Sequence, residues 1–497
     1  MRGWSHPVLF AGLYRLLAAL GLDTPRLLAL APRLLQAAAC AAGDVATYAL
    51  AGRLFRGPKG NERGQGEPSA RLALLCHLTS WSVFYTGTRT FATSLEAALS
   101  GCALALWPWR SPGGGPLPGA RYTAALALAA LACVARPSAA LLWAPLAACE
   151  LAARDAGDAG RGRARALLAR ALPTAALSLG ASLALDGALY GRLTCVPCRF
   201  LTFNLLTRGA EAYGTHPSLW YISSGLPTVL ATLMPATLAG MALHCRHTAP
   251  LAAACACFVS ALSCSRHKEF RFLMPLLTPA CAYAGAALAA LRDVSADARS
   301  RRGAPRRKAP FSASLVVVIL PQLLAAPYFS LLHQAAPGPA MAYLADAAAS
   351  GGVGSGGILM LTPCHETPGY SHLHAPVPLA ILDCSPPWRD VDGAPMGMNE
   401  RDAFFLEPAA HLERRFAALE SGGSGAWADS EPWVARVGEG VAQARGLPSH
   451  VAAYDDVAAQ LHPLLAARGY VVARRFFHAH FAVDRAQREL LIYERVG

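Results

Sequence analysis

A multi-span, mainly helical membrane domain followed by a small α/β domain is the architecture this sequence predicts, and three observations predict it. Of its 497 residues 54% are hydrophobic and only 15% charged, where soluble domains carry about 25% charged residues; the mean hydropathy is +0.32. Charge is divided unevenly. Residues 335–497 hold 18 Asp and Glu against 12 Lys and Arg, while the first 334 hold 13 against 32, so a front part of +19 precedes a tail of −6. Finally, long apolar stretches recur through the front part and stop near residue 334. Together these exclude a disordered chain, a collagen-like repeat, a small disulfide scaffold and a simple soluble enzyme. The bases lie in short clusters between apolar runs, which is the pattern of membrane topology and not of a nucleic-acid surface.

The apolar stretches fall at 27–52, 72–86, 90–107, 122–135, 138–152, 166–188, 222–243, 249–264, 270–291 and 311–333, predicting about ten transmembrane helices. A helix needs roughly 20 residues to cross the hydrocarbon core, so the shorter ones must tilt, thin the bilayer or be buried among neighbours. Arg and Lys mark cytoplasmic loops: Arg53 to Arg71, Arg161 with Arg163 and Arg165, and Arg299 to Lys308. The alternate loops then face the other side, around Thr88 to Thr90, Arg136 to Ser138, 190–221 and His267 to Arg271, as does the acidic tail. Pro137 divides the stretch between 110–121 and 154–165 into the two arms of a hairpin. Tracing back places Met1 on the far side of the membrane with nothing before it to carry it there. Residues 7–20 are read as an interfacial helix and the chain as written as lacking an amino-terminal segment; the alternative is that 7–20 itself spans.

The domains are therefore expected at 1–334 and 335–497, with a flexible joint at 350–357 (SGGVGSGG). Strand-like runs follow at Ile358 to Thr362, Ala403 to Leu406, His450 to Tyr454, Tyr470 to Phe477 and Leu490 to Tyr493, with a helix over Val457 to Arg468 and a Gly/Ser-rich loop at 418–433. Most of the 14 cysteines lie in apolar runs as small hydrophobes. Cys195 and Cys198 form a lone CxxC without the second pair a zinc site needs. Cys364 and Cys384 sit among turn residues of the non-cytoplasmic tail, where an oxidising compartment favours joining them. His365, His372 and His374, interleaved with prolines, read as loop histidines, and no metal site is expected.

Charges at membrane depth are costly and mark function. Arg266-His267-Lys268-Glu269-Phe270-Arg271-Phe272 stands where a span begins. It is either a solvated helix start with intrahelical ion pairs or a site for an anionic head group, and its assigned side, away from the cytoplasm, speaks for the second. Arg89 and Glu96 lie seven apart, two helical turns and thus one face; they form either a buried ion pair or part of a lined cavity. Phe203-Asn204, Tyr213 to Pro217 with His216, and Trp220-Tyr221 are an aromatic belt at the interface or loop contacts to substrate.

These motifs resemble the glycosyltransferase family 22 mannosyltransferases, membrane enzymes of the GT-C class: His267-Lys-Glu-x-Arg-Phe272 with Pro275, and Thr88-Arg-Thr to Glu96. Finer similarity is to the branch acting in GPI-anchor assembly, carried by Phe203-Asn204, Tyr213 to Pro217, Ala135 to Ala139 with Trp143, Thr362 to His365, Tyr370 to His374, Cys384 to Pro387, Arg475 to His478 and Ile492 to Arg495. The resemblance implies transfer of the third, α1,2-linked mannose from dolichyl-phosphate mannose to a GPI-anchor glycolipid intermediate on the luminal face of the endoplasmic reticulum membrane, with no cofactor, metal or nucleic acid. It also implies that Arg89, Lys268, Arg271 and His267 stabilise the leaving lipid phosphate, that Glu96 and Glu269 orient those cations or bind sugar hydroxyls, and that Asn204 and His216 are luminal-loop contacts. The family's acidic His-Pro-Asp-Glu motif, source of the general base, has no counterpart here, since Ser5-His6-Pro7 falls downstream of it. Thr93 replaces the family's Asn. The expectation is a chain that lacks that segment or is inactive. The rivals are a mannosyltransferase of N-glycan precursor assembly, which shares the His-Lys-Glu motif, and a non-enzymatic lipid transporter or scaffold.

Overall fold

In hydrocarbon every backbone N–H must find its acceptor within its own segment, so apolar runs coil into helices. All ten apolar stretches are helical in the computed structural model. It describes residues 3–55, 66–109, 119–152, 158–207, 209–302, 310–384, 398–421, 446–481 and 485–496, and divides into two units, Met1–Pro327 and Tyr328–Gly497. The basic cluster Arg299 to Lys308, most of the 418–433 loop and Ser385 to Pro387 lie wholly or largely outside the described residues.

Among the described residues four helical runs combine span length with apolarity: Pro25–Leu54, Arg161–Tyr190, Phe270–Ser295 and Phe311–Ala349, the last running past the end of the first unit. Tyr221–Leu230 and Leu233–His244, bent by 106° at their junction, make a fifth if they are one span. The other apolar stretches form shorter helices such as Ala92–Leu106, Gly119–Ala135 and Ala249–Cys264. The gap between ten stretches and four or five spans is one of length, because helices of 13–17 residues fall short of the roughly 20 that a perpendicular crossing needs. Helix Pro7–Ala19, with 13 residues, is among the short ones. Pro137 opens a 3-10 turn, Pro137–Ala139, that joins Gly119–Ala135 to Ala140–Ala152.

Helices that lack a hydrophobic drive to associate pack through small residues. A side-chain carbon on Gly285 would stand 2.3 Å from the backbone nitrogen of Ala73, and one on Gly240 would stand 2.0 Å from the Tyr283 carbonyl oxygen. Only glycine fits either place.

The second unit is a five-stranded sheet in the order β2-β1-β3-β5-β4, where β1 is Ile358–Leu361, β2 Leu379–Ile381, β3 His450–Tyr454, β4 Tyr470–Phe477 and β5 Glu489–Arg495. β1 runs parallel to β2 and β3; β5 is antiparallel to β3 and β4. Every residue of β1 and β3 is buried, as strands covered on both faces must be. Leu359, Leu361, Val451, Ala453 and Tyr493 join Phe404, Phe416 and Leu461 in one core, and Ile358, Met360, Ala452 and Ile492 join Met341 and Leu344 in another. The alternation follows from the strand's two-residue period.

Two sequence assignments change here. Ala403 to Leu406 is helical, within Glu400–Leu406, because the Asn399 side chain accepts from the Asp402 N–H and caps a helix that buries Phe404. Residues 350–357 lie inside the second unit, in the turn before β1. Their glycines serve close packing: a side-chain carbon on Gly356 would stand 1.8 Å from the Leu447 carbonyl oxygen, and one on Gly357 (φ +68°) 2.3 Å from that of Pro378.

Candidate active site

Helix Ala249–Cys264 ends at Ser265, and the chain then runs extended through Glu269 (φ −139°, ψ 149°) before the 3-10 segment Phe270–Leu276. Residues 266–269 are therefore not a helix start, and their ion pairs are not the intrahelical ones of the sequence reading. Backbone extension brings residues two apart to the same side, so His267, Glu269 and Arg271 form a relay. His267 Nε2 lies 3.0 Å from Glu269 Oε1, and Arg271 donates to the same oxygen through Nη2 at 2.7 Å. The other imidazole nitrogen, Nδ1, lies 3.0 Å from the Gly214 carbonyl oxygen. With acceptors at both nitrogens the doubly protonated ring is favoured, and the bond to Glu269 raises the His267 pKa although burial opposes it. Burial works against Glu269 as well, but His267 and Arg271 together hold its carboxyl below the ordinary range.

Lys268 points the other way. Its side chain is buried and donates to the carbonyl oxygens of Ser265 and, at 3.3 Å, His216, while the His216 N–H donates to the Arg266 carbonyl at 2.9 Å. Lys268 thereby clamps the 214–216 loop to the motif. The π-helical turn Tyr221–Gly225 sets Tyr221, fully buried, with its hydroxyl 3.4 Å from the Glu269 backbone nitrogen. His216 stacks on Trp220 at 4.5 Å between ring centroids, and Glu211 faces Arg266 at 3.7 Å.

Arg89 and Glu96 do not share a helical face. One helix ends at Gly87 and the next begins at Ala92, so Arg89 lies in the break, donating to the Tyr85 carbonyl at 3.0 Å and stacking 3.9 Å above that residue's ring. Glu96, 1% exposed, takes Arg136 as its partner at 3.4 Å. Arg136 also donates to the Ser138 hydroxyl at 3.0 Å and lies 4.4 Å from the centre of the Phe272 ring. Arg271 approaches the same ring at 6.0 Å and that of Phe91 at 5.6 Å. Arg136 and Arg271, both beside the Phe272 ring, thus link three segments distant in sequence: Glu96 through Arg136, Phe91 through Arg271, and the His267 relay. Arg136 as a charged partner of Glu96, Tyr221 as a neighbour of the Glu269 backbone, and the pair of His77 with Asp44 at 2.6 Å were not part of the sequence reading. A charge set between Ala135 and Pro137 in an apolar hairpin was the signal for Arg136; nothing in sequence flags a pair 33 residues apart.

Asn204 stands apart, half-buried, donating to the Phe200 carbonyl at 2.8 Å. Cys364 and Cys384 are joined, with Cα atoms 6.1 Å apart, and Cys195 is bonded to Cys198. Among the described residues no three His, Cys, Asp or Glu side chains stand close enough to share a metal. Chemically, the cluster offers guanidinium groups already oriented by buried or half-buried carboxylates. That arrangement stabilises negative charge developing on a nearby oxygen without reorganising during the reaction.

The model of the Alg9-like mannosyltransferase family matches residues 1–374. Mannosyltransferase APTG1 of Arabidopsis thaliana is 32% identical, covering 99% of this chain and 82% of the relative. GPI mannosyltransferase 3 of Yarrowia lipolytica is 31% identical over 99% of this chain and 87% of its own length. GPI alpha-1,2-mannosyltransferase 3 of Homo sapiens is 29% identical over 100% and 78%. In fold the chain is similar to the crystal structure of ArnT from Cupriavidus metallidurans bound to undecaprenyl phosphate, with a TM-score of 0.54, 14% identity and coverage of 99% of this chain and 87% of ArnT.

Proposed function

Because the chain belongs to the Alg9-like mannosyltransferase family, we propose that it transfers an α1,2-linked mannose, the third of the GPI core, from dolichyl-phosphate mannose to a GPI-anchor glycolipid intermediate. Family membership makes it a mannosyltransferase; the full-length relatives named for GPI mannosyltransferase 3 support the acceptor. In this reading the enzyme lies in the endoplasmic reticulum membrane with about ten spans of a GT-C fold. The motifs and the carboxy-terminal domain face the lumen, on the side opposite the basic loops.

The observation that carries the reading is the convergence of three motifs on Phe272 with every cation held by a partner. The leaving group of such a transfer is a lipid phosphate. Arg271, a third exposed, is the cation placed to take its developing charge, backed by His267 through Glu269. Arg89 offers a second guanidinium. Arg136 and Glu96 hold the Phe272 wall, and Lys268 fixes the 214–216 loop, with His216 as a substrate contact and Asn204 a more distant one. ArnT, whose fold the chain shares, was solved with undecaprenyl phosphate, and a lipid phosphate suits such a cluster.

The test is a chimaera in which this chain replaces the matching part of a curated relative, expressed in cells lacking that relative. Restored surface GPI-anchored proteins, lost again on Arg271→Ala, support the proposal. Restoration of an N-glycan precursor defect instead, or rescue undiminished by Arg271→Ala, overturns it.

A further inference from the structure

The second unit carries a cleft that the proposed reaction does not use. In the order β2-β1-β3 the chain leaves β1 towards β2 and later returns to β1's other side as β3. In open α/β sheets that reversal leaves a crevice beyond the carboxyl ends of the strands, the usual place for a ligand. Here the crevice is lined by Pro363 and Glu366 after β1, Arg401 from the helix that follows β2, and His478 and Gln487 from the turn between β4 and β5, with His333 and Phe481 at its mouth. It is an open cleft, with about 420 Å³ of space including the part open to solvent.

Its lining breaks the rule that buried polar groups are hydrogen-bonded. His478 and Gln487 are 3% and 8% exposed. Neither His478 Nδ1 nor Gln487 Nε2 has a hydrogen-bond partner among the described residues, and the same holds for His333 Nδ1 and Arg401 Nε. Four unmet groups at one crevice, from three segments, are the outline of something that supplies hydrogen bonds to all of them. Backbone strain adds to this, since Gln334 lines the cleft at φ +58° and His365, beside Glu366, has φ +66°. Left-handed backbone in residues other than glycine concentrates at binding sites.

Charge excludes an anion. Arg485 is paired with Asp456 at 2.5 Å and Arg401 with Asp402 at 3.1 Å, Glu366 adds a carboxylate, and burial holds the His478 pKa down at about 4, so that ring is neutral. The His333 and Phe481 rings stack at 4.7 Å, a flat apolar wall beside the polar floor. Mixed donors and acceptors with an aromatic wall and little net charge match the two faces of a pyranose. We infer that this cleft is a second saccharide site, binding a neutral, hydroxyl-rich sugar through Gln487, His478 and Arg401 against the His333 and Phe481 rings.

The experiment uses the full chain in lipid nanodiscs, free of glycosidic detergent, titrated with methyl α-D-mannopyranoside and separately with inorganic phosphate, and read by saturation-transfer NMR. The glycoside is expected to bind, with affinity at least tenfold weaker in Gln487→Leu and in Phe481→Ala; Phe481 is 48% exposed, so its truncation leaves the core intact. Binding that persists in Arg271→Ala separates the cleft from the catalytic cluster. No binding by the wild type, equal binding in both cleft variants, loss in Arg271→Ala, or displacement of the glycoside by phosphate overturns the inference.

Discussion

The cations of the sequence motifs and the nitrogens of the second unit's cleft are partnered in opposite ways. In the first unit each of these cations meets a partner supplied by the chain: Arg136 has Glu96, Arg271 and His267 share Glu269, Lys268 has two carbonyl oxygens, and Arg89 has a carbonyl and a ring. In the cleft of the second unit, imidazole and amide nitrogens at similar depth meet none. Preorganised charge stabilises a transition state because nothing has to move when charge develops. Unmet hydrogen bonds cost free energy in the empty protein, and a ligand offsets that cost by supplying them. The first pattern suits chemistry and the second suits binding.

The sharpest way to break this contrast is to unmake the deepest pair. Glu96→Ala leaves Arg136 without its carboxylate, and removing one partner of a buried pair costs about 3–5 kcal/mol. A matching fall in thermal unfolding temperature in nanodiscs is expected; a fall worth under about 1 kcal/mol would show the pair to be a surface one in effect. Arg271→Ala should act on rate instead. Its pair with Glu269 is a third exposed and so worth about 1 kcal/mol or less in stability, whereas loss of a preorganised cation at the leaving oxygen lowers kcat by about 10²–10³-fold, measured with a dolichyl-phosphate mannose donor. The second unit is stapled near its cleft by Cys364 and Cys384, 20 residues apart. The double change to Ser should cost about 3 kcal/mol and lower the melting of that unit, followed by proteolysis, without altering the cluster around Phe272.

A further effect is one of pH, and the two units should show it with opposite sign. The His267 pKa is raised above the ordinary value of 6.5, so its contribution is fully present below that value and fades as pH rises through the folded value. The His478 pKa is lowered to about 4, so stability is full above 6.5 and declines as pH falls from there towards 4. Thermal unfolding between pH 4 and 8 should lose its alkaline slope in His267→Gln and part of its acid slope in His478→Gln. Identical slopes in both variants would contradict the assignment.

Much of this was legible in sequence where one segment determines its own structure. Apolar runs gave the helices, and the strands β1, β3, β4 and β5 followed from their Val, Ile, Tyr and Phe content. Ala403 to Leu406 misled because two phenylalanines read as strand while the capping Asn399 lay upstream. The three-residue β2 was too short to stand out. The motif at 266–272 stood out in sequence but its extended backbone did not; the pairing of Arg89 with Glu96 failed because a spacing of seven shares a face only if one helix contains both. Arg136 and the cleft depend on which distant segments meet, and tertiary packing alone decides that.

Gly285 and Ala73 touch backbone to backbone, which gives the helix Leu277–Arg302 a single axial seat, like a key cut to one depth. Arg271 hangs from that seat by a fixed count of residues. One deletion between 272 and 285 would draw Arg271, with Glu269 and Phe272 beside it, back by about 1.5 Å and swing them by about 100°, away from Phe91 and Arg136. The length of this short stem therefore sets where the Arg271 side chain reaches.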